Sequence, residues 1–193
     1  MNMKKNKRKL NDGVFTQAQA LARPDNALLI SSVKVILGVF ALFAAAQILI
    51  PIKPIPITLQ TIVVSIIGLS YSPRLSFATL LSYLTLGALG APMFLKYSGG
   101  LEYMTGITAG YMAGFLIAAP VISYLKESFS GRFLGVMSCC MIGHAIIYIL
   151  GVTWLTSFIG FEKAIYSGFL IYIPSGVVKI TILSYLYSFI NSK

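Results

Sequence analysis

The sequence predicts an all-α integral membrane protein, with six transmembrane helices in one bundle and both termini on the cytoplasmic side. Three observations carry that expectation. The 193-residue chain is 57% hydrophobic and only 10% charged, with a mean hydropathy of +0.84. A soluble domain of this length cannot bury so much apolar surface. The apolar runs are continuous rather than alternating, which selects helices over a barrel, because barrel strands alternate apolar and polar residues. Basic residues gather in alternate loops, the pattern of a chain that crosses a bilayer repeatedly.

The elements follow in order. Residues 1–27 form a polar tail containing Lys4, Lys5, Lys7, Arg8 and Lys9, which supply much of the formal charge of +10. No short apolar core followed by a small-residue cleavage site is present, so the segment reads as a retained cytosolic tail. No aromatic side chains interleave with the lysines as a base-stacking surface would require. The charge therefore reads as a topology signal and an attraction to anionic lipid headgroups, not as nucleic-acid binding.

Residues 28–193 form the membrane domain. A spanning helix takes about 20 residues, and the apolar length leaves room for about six. They are expected at 30–50, 57–71, 74–91, 105–125, 131–155 and 164–190. The second is short for a bilayer; it either tilts or pairs with the third as a hairpin through Ser72-Pro73-Arg74. Arg23, Arg74, Lys126, Arg132 and Lys193 fall on the side of the basic tail, and Lys53, Lys96 and Lys163 on the other. The positive-inside rule makes the first side cytoplasmic.

Two unusual segments then lie outside. ILIPIKPIPITLQT (48–61) breaks the backbone with prolines and continues into Thr58, Gln60 and Thr61. The segment 87–111 is rich in glycine but also carries Met93, Phe94, Leu95, Tyr97 and Tyr103, too apolar for a floppy linker. It is expected to pack on the bundle as a lid or pocket wall.

Enzyme chemistry has no visible constellation. His144 is the single histidine and reads as a hydrogen-bonded core residue, without carboxylates to complete a metal site. The adjacent Cys139 and Cys140 point about 100° apart on a helix and read as packing. No phosphate-binding glycine loop is present, so ATP hydrolysis by that route is excluded. Asp12, Asp25, Glu102, Glu127 and Glu162 all fall in expected tails or loops, which disfavours a self-powered proton or sodium relay.

One charge stands within an apolar run. Lys179, in IYIPSGVVKITILSYLY, lies too deep for easy escape to the inner headgroups. Such a residue costs about 2.5–3.5 kcal/mol at a helix centre and faces a cavity or a partner. With no intramembrane acid to pair with it, an anionic ligand is the natural counterion, and a carboxylate the simplest. Pro174-Ser175-Gly176 precedes it, either freeing backbone groups for a ligand or only kinking the helix. Ala41 and Ala45 give the first helix a small-xxx-small pair, for internal packing or for a partner helix.

The stretches PIPITLQT (54–61), LSYLTLGALGAPMF (81–94), SGGLEYMTGITAGYMAGF (98–115), IIYILGVTWL (146–155) and PSGVVK (174–179) together resemble the BioY family, over about residues 35–185. BioY proteins are the biotin-specific S components of energy-coupling factor (ECF) transporters. The resemblance implies capture of biotin from outside by a six-helix protein in a bacterial cytoplasmic membrane. It further implies a transmembrane coupling protein and a pair of cytosolic ATPases, or action as a self-oligomer. The chain itself would have no enzyme activity, metal or cofactor, ATP being used by the partner. Substrate-binding positions implied are Lys179, Gln60, Thr58, Tyr83, Thr108, Tyr111 and Gly176. The Ala41/Ala45 pair would touch the coupling protein.

Two departures qualify the match. The family's PGDxxK pattern has an Asp where this chain has Gly176, and GPTGGY becomes GITAGY (106–111). Losing the Asp removes an acceptor for the ureido N–H groups and a counterion for the lysine. Binding is then weaker or altered, or backbone carbonyls near Pro174 substitute. The competing readings are an S component for another small carboxylate, a membrane acyl or lipid transferase, and a structural protein tolerant of Lys179→Ala.

Overall fold

The computed structural model describes residues 24–129 and 132–191. The basic cluster from Lys4 to Lys9, with Asp12, Arg23 and Lys193, lies outside the described residues. The first helix, α1, runs Pro24–Gln47, and a division into two units falls inside it, after Leu37. The described part of the first unit, residues 24–37, is helical and exposes Leu28, Leu29, Val33 and Ile36. Apolar side chains of this kind, left uncovered, suit a lipid surface. All that follows concerns the second unit, Gly38–Lys193.

After α1 the prolines do something the sequence left open. Strand β1 (Leu49–Ile50) pairs antiparallel with β2 (Ile57–Thr58), Leu49 opposite Thr58 and Ile50 opposite Ile57. Pro51, Pro54 and Pro56 lie between them, where no ladder N–H is needed. Helix α2 is therefore Gln60–Ser70, three residues later in starting than expected and only 11 residues long. At 1.5 Å per residue it rises about 16 Å, roughly half a hydrocarbon core.

A half-length helix leaves its last carbonyls inside protein. Lys126 Nζ donates to Leu69 O at 2.9 Å and to Tyr71 O at 2.7 Å, and Tyr187 Oη donates to Leu69 O at 3.2 Å. A cation here also complements the negative end of the helix dipole. Ser72 and Pro73 then turn the chain into α3 (Pro73–Ala88), with proline in the first turn, where its missing N–H costs nothing.

The segment after α3 packs down. A one-turn 3₁₀ segment (Leu95–Tyr97) and a short helix α4 (Leu101–Met104) interrupt it. Phe94 is fully buried. Its ring meets Tyr83 edge-on at 5.7 Å and stacks on Tyr103 at 5.0 Å. Gln47, the last residue of α1, holds the same turn with both ends of its amide. Nε2 donates to Phe94 O at 2.9 Å, and Oε1 accepts from Tyr97 N–H at 3.2 Å.

Helices α5 (Ala109–Ser128) and α6 (Phe133–Ile159) form the tightest pair. A Cβ on Gly114 would stand 2.7 Å from the Ile147 Cα, so the backbones meet where only glycine fits. At the end of the molecule holding the α2 terminus, Leu69, Ile122, Val136, Cys139, Cys140 and Ile180 form a buried cluster. The two cysteines are free thiols within it.

Several expectations are corrected. The helix expected at 164–190 is three pieces: α7 (Phe161–Gly168), a 3₁₀ turn (Leu170–Tyr172) and α8 (Ile173–Asn191). Pro174 starts α8 rather than kinking a longer helix, which places Lys179 in its second turn. Asp25, Glu102, Glu127 and Glu162 sit in the first turn of α1, in α4, in the last turn of α5 and in the first turn of α7, not in tails or loops. Ala45 is buried at 5% exposure, Ala41 is half-buried and Ala44 is the exposed alanine. Packing inside the chain, not a free face, thus takes up Ala45. Among the described residues, four helical stretches are long and apolar enough to cross a membrane: Asn26–Gln47, Ala109–Ser128, Phe133–Ile159 and Phe161–Ile190. The chain is a mostly helical, multi-pass membrane protein.

Candidate functional site

A narrow cleft of about 70 Å³ lies between the β2–α2 entry, the α4–α5 connection, α6 and the start of α8. Its lining is mainly apolar and aromatic, with a few polar groups converging from different elements.

Lys179 is the one charged side chain in that lining. Its Nζ donates to Thr58 O at 2.6 Å and to Thr61 Oγ1 at 3.4 Å. Both acceptors exist because the prolines deliver β2 to this point and α2 begins beside it. Among the described residues no carboxylate pairs with Lys179. An ammonium held by two neutral oxygens still lacks a counterion, and the cleft is electropositive for that reason.

Gln60 opens α2 and is buried. Its Nε2 donates to Tyr83 Oη at 3.0 Å, and Tyr83 Oη donates onward to Met93 O at 2.8 Å. Thr58 Oγ1 donates to Gln60 Oε1 at 3.2 Å. Tyr83 is fully buried and does not line the cleft. That corrects its assignment as a binding residue: it fixes the Gln60 amide from behind. Thr108 and Tyr111 do line the cleft, but the Tyr111 hydroxyl is spent on Gly168 O at 2.8 Å, so Tyr111 offers a ring face. Gly176 is likewise corrected, since it borders an adjoining cavity rather than the cleft.

Tyr103, expected in a lid or pocket wall, lines the cleft; sequence reasoning missed Tyr148 and Tyr172 there and named Ser175 only as part of a break before Lys179. It noticed Thr61 without placing it there. Burial pushes the Tyr103 phenol above its ordinary pKa, which keeps it a neutral donor and acceptor. Tyr172 Oη donates to Ile55 O and ties the β1–β2 hairpin to the turn before α8. Tyr148 stands four residues after His144, one turn along the same helix face; that spacing was the available signal.

This arrangement can hold a small, largely apolar anion, with the charge recognised by Lys179 and neutral polar groups by Thr58, Gln60 and Thr61. Comparison with known proteins gives it a context. The BioY family model matches residues 16–193. The chain belongs to the BioY family. A BioY relative from Rickettsia prowazekii, named a probable biotin transporter, is 48% identical over 167 residues, 86% of each chain. Another, from Pyrococcus horikoshii and named likewise, is 39% identical over 144 residues, 72% of this chain and 85% of that one. The Thermotoga maritima biotin transporter BioY is 32% identical over 148 residues, 75% of this chain and 87% of that one. The crystal structure of the S-component for biotin from an ECF-type ABC transporter superposes with a TM-score of 0.78. It covers 87% of this chain and 94% of its own at 20% identity, so this BioY chain shares its fold.

Proposed function

We propose that this chain captures biotin outside the cell membrane as the substrate-binding subunit of an ATP-driven ECF-type transporter. The observation that carries the reading is Lys179, an ammonium in an apolar cleft with no carboxylate beside it. Biotin is a monocarboxylate with an apolar chain and ring, and its carboxylate supplies the missing counterion. Its ureido group suits the amide and hydroxyls at the β2–α2 entry.

The same reading extends to topology and partners. Helices α2 and α3 add two crossings to the four long stretches, making six and leaving both termini in the cytoplasm. The coupling protein meets the exposed side of α1 along Phe40 and Ala44, with Ala41 at the edge and Ile48 just past its end. The partner ATPases supply the energy, so the chain acts as a transporter subunit rather than an enzyme. A self-oligomer is the alternative assembly.

A second reading has one observation in its favour. Gly176 stands where the resembling proteins place an acid, which suits a different small carboxylate as substrate. Equilibrium binding to the detergent-purified protein tests both. Biotin is expected to bind, and Lys179→Ala to weaken it about 10- to 100-fold, the worth of one charge-assisted hydrogen bond. The neutral amide of biotin should lose little in the variant. A folded wild-type protein that ignores biotin but binds another monocarboxylate would establish the second reading.

A further inference from the structure

The loop between β1 and β2 has two faces. On one, Ile55 and Pro56 wall the Lys179 cleft. On the other, Lys53 and Pro54 rim an open basin of about 590 Å³. The rest of the basin comes from the end of α6 and from α7, including Glu162, Lys163, Tyr166 and Ser167. The site described above uses none of these residues.

Small-molecule sites occupy about 300–1,000 Å³. The basin has that volume and the cleft, at about 70 Å³, does not. A ligand of biotin's size therefore reaches Lys179 only when a wall of the cleft gives way. The wall next to the basin is lightly held. Tyr172 Oη donates to Ile55 O, and among the described residues this is the one hydrogen bond that ties residues 51–56 to another element. Tyr172 follows α7 directly, so the chain that carries Lys163 into the basin also carries the far side of this seam.

Charge gives the basin a preference. Lys53 and Lys163 are exposed, and neither makes an ion pair among the described residues. Glu162 is the single acid in the lining, so two ammonium groups face one carboxylate and a positive charge is left over. A concave surface with one net sign gathers the opposite ion and speeds its arrival. Exposed lysines on a convex face would only be solvated; these rim a concavity one loop away from the Lys179 cleft.

We propose that the basin is the entry vestibule of the cleft, where Lys53 and Lys163 hold the carboxylate of a small monoanion before it passes the Ile55–Tyr172 seam to Lys179. The inference rests on the biotin reading for its ligand. It goes beyond that reading in assigning a second, transient anion site and a route between the two.

The test is stopped-flow binding to the full-length protein in detergent free of anionic lipid, with biotin and its neutral amide as ligands. At about 0.01 M salt, Lys53→Gln and Lys163→Gln together should slow the arrival of biotin about 3- to 10-fold and leave its departure unchanged. Glu162→Gln should speed arrival about 2-fold, a gain that damage to the fold does not produce. Both differences should vanish near 1 M salt, where the Debye length has shrunk from about 30 Å to about 3 Å. Neither should appear with the amide. Ser167→Trp, which fills the basin without reaching the cleft, should slow arrival and departure of both ligands alike and leave Kd unchanged. Arrival unaltered in the lysine pair, or in Ser167→Trp, would overturn the inference while leaving biotin binding intact. Lysine effects that appear only when phosphatidylglycerol is added would overturn it in favour of a lipid phosphate site. A wild-type protein that fails to bind biotin would instead overturn the proposed function.

Discussion

Gly176 and Tyr148 are matched through space, and neither is understood alone. A Cβ at 176 meets the Tyr148 hydroxyl at 2.9 Å, but the next ring atom, Cζ, is 3.8 Å away, an ordinary contact. Gly176→Ala is therefore expected to weaken biotin about tenfold through overpacking. In a Tyr148→Phe background the same substitution should have almost no effect; titration of the four proteins measures this. Residues of this kind divide what was legible in the sequence from what was not. Lys179 was legible because a charge inside an apolar run must be answered by something. Gln60 and Thr58 were legible because polar side chains follow a proline-rich break. Tyr83 was misplaced because sequence does not say which way a buried tyrosine points, and its hydroxyl faces Met93 O rather than the cleft. Tyr148 and Tyr172 were missed because an aromatic residue in an apolar helix looks like packing. His144 was read correctly as a hydrogen-bonded core residue: it is buried, with Nδ1 3.0 Å from Cys140 O.

The second helix shows how elements depart from a hydropathy reading. Apolar continuity predicted where chain lies in the membrane but not where helices start, because start points are set by pairing and capping. The β1–β2 pairing holds Ile57 and Thr58 out of α2. The same limit hid the split of the last expected helix, although Gly160 and Pro174 bracketed it in the sequence. Stopping α2 half-way leaves the Leu69 and Tyr71 carbonyls to be satisfied from α5 and α8. Lys126→Met should then lower stability by about 2–3 kcal/mol, since charged hydrogen bonds contribute about 1.5–3 kcal/mol. Thermal unfolding in detergent should show the loss, with biotin affinity at saturating fold unchanged. An unaltered melting temperature would mean that water or lipid serves those carbonyls equally well.

At the scale of the whole molecule, the proposed six-crossing arrangement makes a directional prediction. Lys96→Cys and Lys163→Cys should react with a membrane-impermeant maleimide added to intact cells. Arg74→Cys and Glu127→Cys should react only after permeabilisation. The native thiols Cys139 and Cys140 are buried and should give little background. Labelling of all four positions from one side would refute the six-crossing arrangement. The clasp formed by Gln47 bears on time rather than place. Its amide bonds Phe94 O and Tyr97 N–H, in the segment whose Leu95 and Tyr103 wall the cleft. Any widening of that wall must first give up two hydrogen bonds made by the final residue of α1. In the proposed transport cycle, departure of a captured molecule is metered by that amide, which sets how long a partner has to act on the loaded subunit.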